Sequence, residues 1–279
     1  MRRLISVLFL ILTLAICSSC NDSGQASSFS IVYIDVGQGD AALVECDGHY
    51  MLVDGGEGDK VYNVLVDKGV QKLDILAISH LHKDHIGGLI KALTYASKIG
   101  ITISNSSESD TDVFKEFEEQ LVIDKSKIKV PHVGDKYSLG SAEVEVVDVA
   151  STNPNDSLVL LVTYKDTRFL FTGDIEYEGQ KRIADKYQND EDKEFKIDVM
   201  KMPHHGSYEG SLYRFIRTFM PDYAIISCGD KKRYGHPDDR TLDLLNNEAY
   251  NAKVFITNSE GDITVKSDGK NVSVISSKN

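Results

Sequence analysis

Short apolar runs separated by polar, glycine-bearing turns organise the chain from residue 29 onward. Runs that alternate with period two, or that are rich in β-branched residues, predict strands. They fall at residues 29–35, at a second strand ending at Cys46, and at 49–53, 73–78, 99–104, 137–139, 142–149, 158–164, 168–172, 195–202, 222–228, 253–257, 262–266 and 271–276. Apolar positions returning every three or four residues predict helices at 58–68, 89–98, 111–121, 176–187, 212–219 and 238–246. The segment 111–121 shows the pattern well, with Val113, Phe114, Phe117 and Leu121 on one face and acids on the other. No sequence repeat is visible, yet strands followed by a helix recur in each half. Periodicity by itself therefore implies a mixed α and β fold.

The N-terminus follows another logic. Met1-Arg2-Arg3 is a short basic start, and residues 4–16 are apolar but too short to span a bilayer comfortably. Ser18-Ser19-Cys20 follows. This is a secretory signal segment. It resembles a bacterial lipoprotein signal, with Cys20 as the lipidated residue and Cys17 at a position where such signals usually carry leucine. The expected organisation is a signal peptide at 1–19, a polar flexible tether at 20–28 and one large domain at 29–279. An uncleaved N-terminal anchor is the alternative. Either form predicts export and attachment to the extracytoplasmic face of the cell membrane.

Charge and cysteine use narrow the picture further. The formal net charge is −12 over 279 residues, and loss of Arg2 and Arg3 with the leader makes it more negative. An acidic surface disfavours non-specific nucleic-acid binding, which rests on phosphate neutralisation. The one basic cluster near the chemistry is Lys231-Lys232-Arg233, which reads equally well as a solvated turn. Cys46 and Cys228 lie in apolar runs, outside any metal-ligand spacing. They are expected to be buried thiols, with a disulfide open.

The densest chemistry is Ser79-His80-Leu81-His82-Lys83-Asp84-His85-Ile86-Gly87-Gly88, directly after the apolar run 73–78. Leaving a strand, His80 and His82 point the same way, because side chains alternate. Asp84 and His85 fall where the chain turns, and Gly87-Gly88 permits a tight bend. Imidazoles and a carboxylate converging at a strand end are what borderline divalent metals require. Further candidates lie where other predicted strands end: Asp40 in Asp35-Val36-Gly37-Gln38-Gly39-Asp40, Asp54, Asp174, and the pair His204-His205 followed by Ser207. Adjacent histidines diverge, so only one of His204 and His205 is expected to ligate; alternation favours His204 and leaves the swap open.

His80-x-His82-x-Asp84-His85 resembles the first metal motif of the metallo-β-lactamase superfamily. Asp-Val-Gly-Gln-Gly-Asp at 35–40, Thr-Gly-Asp at 172–174 and Tyr-Gly-His-Pro at 234–237 follow in the order of its ComEC-like competence-protein branch, over nearly all of residues 29–279. The resemblance implies a four-layer αββα sandwich. It implies two divalent cations, with His80 and His82 on the first, Asp84, His85 and His204 on the second, and Asp174 bridging them. It gives Asp54 a supporting role under the metal loop, Asp40 an orienting role, and His205 and Ser207 contacts behind the ligands or to substrate. A third histidine that stands near residue 156 in most of the superfamily is missing here, and Asp156 or Asn155 is expected to face the cations or the substrate instead.

Two cations sharing a carboxylate acidify a water between them, so no protein nucleophile is needed. A donor set of histidine and carboxylate without thiolate suits zinc best, with manganese or iron as alternatives. Asp84, His236 and Asp156 are the expected catalytic residues, His236 through proton transfer or phosphate binding. The motif set is not that of antibiotic-degrading enzymes. A phosphodiester substrate is expected, either DNA or a cell-wall polymer, and no protein partner is implied. Alternatives are a cell-wall phosphorylcholine esterase, a lactonase-type hydrolase, or a tethered non-catalytic binder with a degraded metal site.

Overall fold

The structure is a computed structural model and describes residues 28–123, 126–150, 152–153, 155–188, 195–208, 213–248 and 250–278. The leader, Cys20 and the tether up to residue 27 lie outside the described residues. Among the described residues, no helix is long and apolar enough to cross a membrane.

The first half supplies strands β1 (Phe29–Tyr33), β2 (Ala42–Cys46), β3 (His49–Val53), β4 (Lys72–Ile78), β5 (Lys98–Ser104) and β6 (Ile128–Lys129). The second supplies β7 (Lys136–Leu139), β8 (Ala142–Val149), β9 (Leu158–Tyr164), β10 (Thr167–Phe171), β11 (Val199–Lys201), β12 (Tyr223–Ile226) and β13 (Lys253–Ile256). The chain then returns to the first half with β14 (Ile263–Ser267) and β15 (Val272–Ser276). Two sheets result, ordered β15-β14-β1-β2-β3-β4-β5-β6 and β13-β12-β11-β10-β9-β8-β7. Each begins with antiparallel hairpins and continues with parallel strands, β3 to β6 in one and β10 to β13 in the other.

Alternation along the strands builds three separate apolar layers. Ile31 and Tyr33 of β1, Ile75 and Ala77 of β4, Leu160 and Val162 of β9 and Phe169 and Phe171 of β10 meet between the sheets. Their sequence neighbours face outward. Val32 and Leu76 pack under the helices Lys60–Lys68 and Asp112–Ile123, with Val61, Leu65, Phe114 and Phe117. Val159, Leu161 and Leu170 pack under the helices Tyr177–Gln188, Tyr213–Phe219 and Asp239–Leu245, with Ile183, Phe215, Phe219 and Leu245. The architecture is the expected four-layer αββα sandwich. Cys46 lies in the inner layer and Cys228 in an outer one, both as free buried thiols.

Two predicted elements come out less than half as long. The helix expected at 89–98 is only Leu89–Ala92, because the chain leaves the helix in a turn over residues 93–95 and Lys98 already belongs to β5. The strand expected at 195–202 is paired only over Val199–Lys201, where it lies between β10 and β12.

At the rim of the inner layer, the Phe29 ring stacks on Phe169 and Tyr164 at centroid distances of 4.6 and 4.9 Å. Replacing the fully buried Phe169 with alanine leaves a cavity both sheets border. The variant is expected to lose about 3–5 kcal/mol of unfolding free energy in urea denaturation. A loss under about 1 kcal/mol would contradict a core shared by the two sheets.

Candidate metal centre

The loops leaving β1, β3, β4, β10, β11 and β12, together with the loop entering β9, meet at one end of the sandwich. Most of these are carboxyl ends of parallel strands, where side chains from separate loops converge on one crevice. Two glycines make the convergence possible. Gly39 has φ +127, and a Cβ there would collide with the backbone oxygen of Asp84. Gly173 has φ +53, and its Cβ would come within 2.6 Å of Ser157 and 2.7 Å of Ser79. A side chain at either position would hold two of these loops apart.

Asp54, itself in a left-handed conformation at φ 56, ties down the β4 loop. Its Oδ1 accepts the Ser79 backbone N–H at 2.7 Å, and its Oδ2 accepts the Ser79 hydroxyl at 2.7 Å. The same Oδ2 lies 3.0 Å from His85 Nδ1, which keeps a proton on Nδ1 and turns Nε2 toward the crevice. His85 Nε2 is 3.2 Å from Asp174 Oδ2. His205 repeats the arrangement from the opposite sheet. Its Nδ1 donates to the Ser227 carbonyl at 2.9 Å, and its Nε2 stands 3.3 Å from Asp84 Oδ2 and 3.4 Å from Asp174 Oδ2. On the other flank, His80 Nε2 is 2.9 Å from His82 Nδ1 and 3.9 Å from Asp174 Oδ2.

Asp174 Oδ2 is thus common to two groups of donors: His80 with His82, and Asp84 with His85 and His205. The donor atoms of Asp84, His85, Asp174 and His205 all lie within 4.8 Å of one another. His205 Nε2 is buried without a hydrogen-bond partner. An orphaned ring nitrogen among carboxylate oxygens is what a divalent cation would satisfy, so the residues fit two such ions.

The electrostatics point the same way. Burial would raise the Asp174 carboxyl, but the His205 and His85 imidazoles hold it well below the usual range. Asp84 is likewise depressed, against burial, by the neighbouring His205 and His85 imidazoles. Burial would lower His85, yet Asp174 and Asp54 push it up to about 10. His205 is also raised against burial, chiefly by Asp174. Protons on these imidazoles occupy the electrostatic role a cation would take, so metal uptake displaces protons. His80 differs: burial and the neighbouring His85 hold it well below the ordinary histidine value.

The histidine pair reverses the expected order. His205 is the one turned into the cluster, with 2% of its side chain exposed. His204 is 22% exposed and lies beside Glu176, its Nδ1 3.7 Å from Oε1. The alternation rule fails because β11 ends at Lys201. Pro203–Gly206 forms a single tight turn in which His204 and His205 have φ of 45 and 54. Ser207 donates its N–H to the His204 carbonyl at 2.8 Å and is half-buried.

Asp156 also needs correcting. Its Oδ2 closes its own loop, accepting from Thr152 N–H, the Thr152 hydroxyl and Asn153 N–H at 2.8, 2.8 and 2.9 Å. Asn155 donates to Glu176 Oε1 at 2.7 Å. Neither side chain makes contact with the imidazole cluster. Ser157 does: its hydroxyl accepts the Asp174 backbone N–H at 2.9 Å and lies 3.5 Å from His80 Nδ1.

Asp40 sits behind the cluster, its Oδ1 3.4 Å from His205 Nδ1. Its Oδ2 pairs with Lys201, a buried residue that sequence reasoning passed over. Lys201 Nζ also donates to the Gly173 carbonyl at 3.1 Å and lies 3.7 Å from Asp174 Oδ1. The available signal was a single charge between Met200 and Met202 in an apolar run. A lysine buried there needs carboxylates around it. Burial would lower its ammonium, but Asp40 and Asp174 raise it.

His236 stands at the mouth, its ring 5.7 Å from that of His204 and 6.0 Å from that of His205. Burial, then the His205 and His204 charges, lower its imidazolium. Its Nδ1 meets the Gln38 side-chain amide at 3.3 Å.

The profile of the metallo-β-lactamase superfamily matches residues 34–230. The chain belongs to that superfamily. It is 29% identical over 266 residues to ComE operon protein 3 of Bacillus subtilis (strain 168), covering 85% of this chain and 33% of that protein. It is 25% identical over 231 residues to Competence protein ComA of Neisseria gonorrhoeae, covering 81% of this chain and 30% of that one. The chain therefore spans about a third of these ComEC-like relatives. The metallo-β-lactamase fold protein YhfI from Bacillus subtilis shares the fold, with a TM-score of 0.59 at 13% identity over 86% of this chain and 100% of YhfI.

Because His205 and not His204 faces Asp174, alanine variants separate the two. His205→Ala is expected to lower bound zinc, measured by plasma emission after dialysis, from about two ions per chain towards one. His204→Ala keeps both. The opposite pattern would restore the order expected from strand alternation.

Proposed function

We propose that this protein is an exported, lipid-anchored, two-cation hydrolase of phosphodiesters, with nucleic acid as the leading substrate. The observation that carries the reading is the Asp174 Oδ2 placed 3.2 Å from His85 Nε2, 3.4 Å from His205 Nε2 and 3.9 Å from His80 Nε2. Metal-dependent hydrolysis is the general chemistry of the superfamily to which the chain belongs. Two divalent cations in such a site acidify water and neutralise charge developing on the oxygens of a cleaved ester. Zinc suits the imidazole and carboxylate donors, with manganese and iron as alternatives.

The chain's own residues divide the remaining work. His80 and His82 would hold one cation, Asp84, His85 and His205 the other, and Asp174 both. Asp54 and the Ser227 carbonyl keep a proton on the inner nitrogens of His85 and His205, so each outer nitrogen stays a donor. Lys201 and Asp40 brace Asp174 and His205 from behind. His204 and His236 stand where an anionic ester would enter, beside the Lys231–Tyr234 turn. Lys231 in that turn pairs with Asp239, whereas Lys232 has no carboxylate partner among the described residues. This local basic character supports a phosphodiester over a neutral lactone.

The net charge of −12 favours a second reading within the same chemistry. A small or wall-linked phosphodiester, such as a phosphorylcholine ester, meets less long-range repulsion than a polyanion does. Hydrolysis of single-stranded DNA, a phosphorylcholine ester and a lactone, each with zinc and with manganese, distinguishes the readings. DNA is expected to be cleaved fastest. Asp174→Asn and His82→Ala should each lower kcat by at least about 10²-fold. A metal-loaded wild type inert on every substrate would identify a binding protein instead.

Export and anchoring rest on Met1-Arg2-Arg3, the apolar residues 4–16 and Ser18-Ser19-Cys20. In cells fed labelled palmitate, the wild type should carry label in the membrane fraction, and Cys20→Ser should lose it. Label retained by the variant would rule out acylation at Cys20.

A further inference from the structure

The Asp35–Asp40 turn contributes more than Asp40 to the centre. Gln38 reaches across the sandwich to His236, 198 positions away in the chain, with Nε2 3.3 Å from His236 Nδ1. Its other amide atom is engaged too: Gln38 Oε1 accepts the Gly229 backbone N–H at 3.0 Å. Gly229 permits this approach, since a Cβ there would come within 2.8 Å of the Gln38 backbone nitrogen and 3.0 Å of the Tyr234 ring.

These contacts settle which way the amide faces. A backbone N–H only donates, so the amide oxygen must face Gly229 and the NH2 must face the ring. The NH2 in turn only donates, so His236 Nδ1 must accept. A ring nitrogen that accepts carries no proton, and the neutral imidazole then bears its proton on Nε2. The imidazolium is disfavoured in the same stroke, because its Nδ1–H would point at the amide hydrogens. His236 Nε2 has no hydrogen-bond partner among the described residues, and the ring stands against His204 and His205 at the mouth.

We propose that Gln38 is a positioning residue that locks His236 in the Nε2–H tautomer, making His236 a hydrogen-bond donor to an anionic ester oxygen. Of the two roles open to His236, proton transfer and phosphate binding, the lock selects donation: a ring whose Nε2 is protonated cannot take a proton there. The tautomer follows from the geometry alone; its use on an ester rests on the hydrolase reading above.

A glutamate in place of Gln38 reverses the polarity. One carboxylate oxygen can still accept from Gly229 while the other accepts from His236 Nδ1–H. The full-length, zinc-loaded chain labelled with 15N at histidine reports the ring directly through its long-range 1H–15N couplings. The wild type is expected to show the proton on Nε2 of His236. Gln38→Glu is expected to move it to Nδ1, and Gln38→Met to give a mixture of tautomers. Zinc content and thermal midpoint should stay at wild-type values in both variants. Hydrolysis of an aryl phosphodiester should fall roughly 10²-fold in kcat for Gln38→Glu, the scale of losing one positioned donor.

A wild-type ring protonated on Nδ1, or a tautomer unchanged in Gln38→Glu, would overturn the lock. So would loss of zinc from either variant, which would mean that Gln38 acts on the metal loops instead. Failure of the wild type to hydrolyse any phosphodiester would overturn the phosphodiesterase reading and leave the tautomer result to decide the lock by itself.

Discussion

The Asp174 carboxylate is buried with positive or protonatable groups near both of its oxygens, and the rest of the site is arranged around that. Oδ2 faces the imidazoles of His80, His85 and His205, while Oδ1 lies 3.7 Å from the Lys201 ammonium. Asp40, Asp54 and Asp174 are buried with it, and Asp84 largely so. So many carboxylates in a low-dielectric interior are costly unless positive charge stands among them. Lys201 supplies one fixed charge on the inner side. Facing the mouth, the groups set against Asp174 and Asp84 are imidazoles, which carry protons or give their lone pairs to cations. Acidic residues and histidines this close are a poor way to stabilise a fold and a good way to bind divalent ions.

The sandwich makes this arrangement possible by bringing both sheets to one end. The β4 loop brings four donors from one half of the chain, and the ends of β10 and β11 bring Asp174 and His205 from the other. Because the inner faces of the two sheets are locked by Ile31, Tyr33, Leu160, Phe169 and Phe171, the loops are mounted on a rigid base. Lys201 shows how closely base and site are joined. It is the last residue of β11, and alternation puts it on the same side as Val199, in the space between the sheets directly beneath Asp174.

Much of this was legible in the sequence, and the reasons differ by residue. His80, His82, Asp84 and His85 were visible because their spacing is local and needs no tertiary information. Asp54 and Asp174 stood out as carboxylates that end apolar runs. The choice between His204 and His205 was not legible, since it depends on two left-handed residues after Pro203, which a rule for extended strands cannot anticipate. Asp156 was misread because an aspartate that caps its own loop looks, in sequence, like one aimed at a ligand. Ser157 and Gln38 carry no charge and match no metal-ligand type, so their contacts with Asp174 and His236 emerge only once the chain is folded.

The central claim is that Asp174 would help hold both of two cations, with His80 and His82 on one side and Asp84, His85 and His205 on the other. Anomalous diffraction from crystals of the zinc-loaded chain tests it most directly. Two peaks roughly 3.5–4 Å apart, with Asp174 Oδ2 between them and His205 Nε2 on one, are what the arrangement requires. A single peak, or a pair of peaks that leaves Asp174 out of coordination, would contradict it.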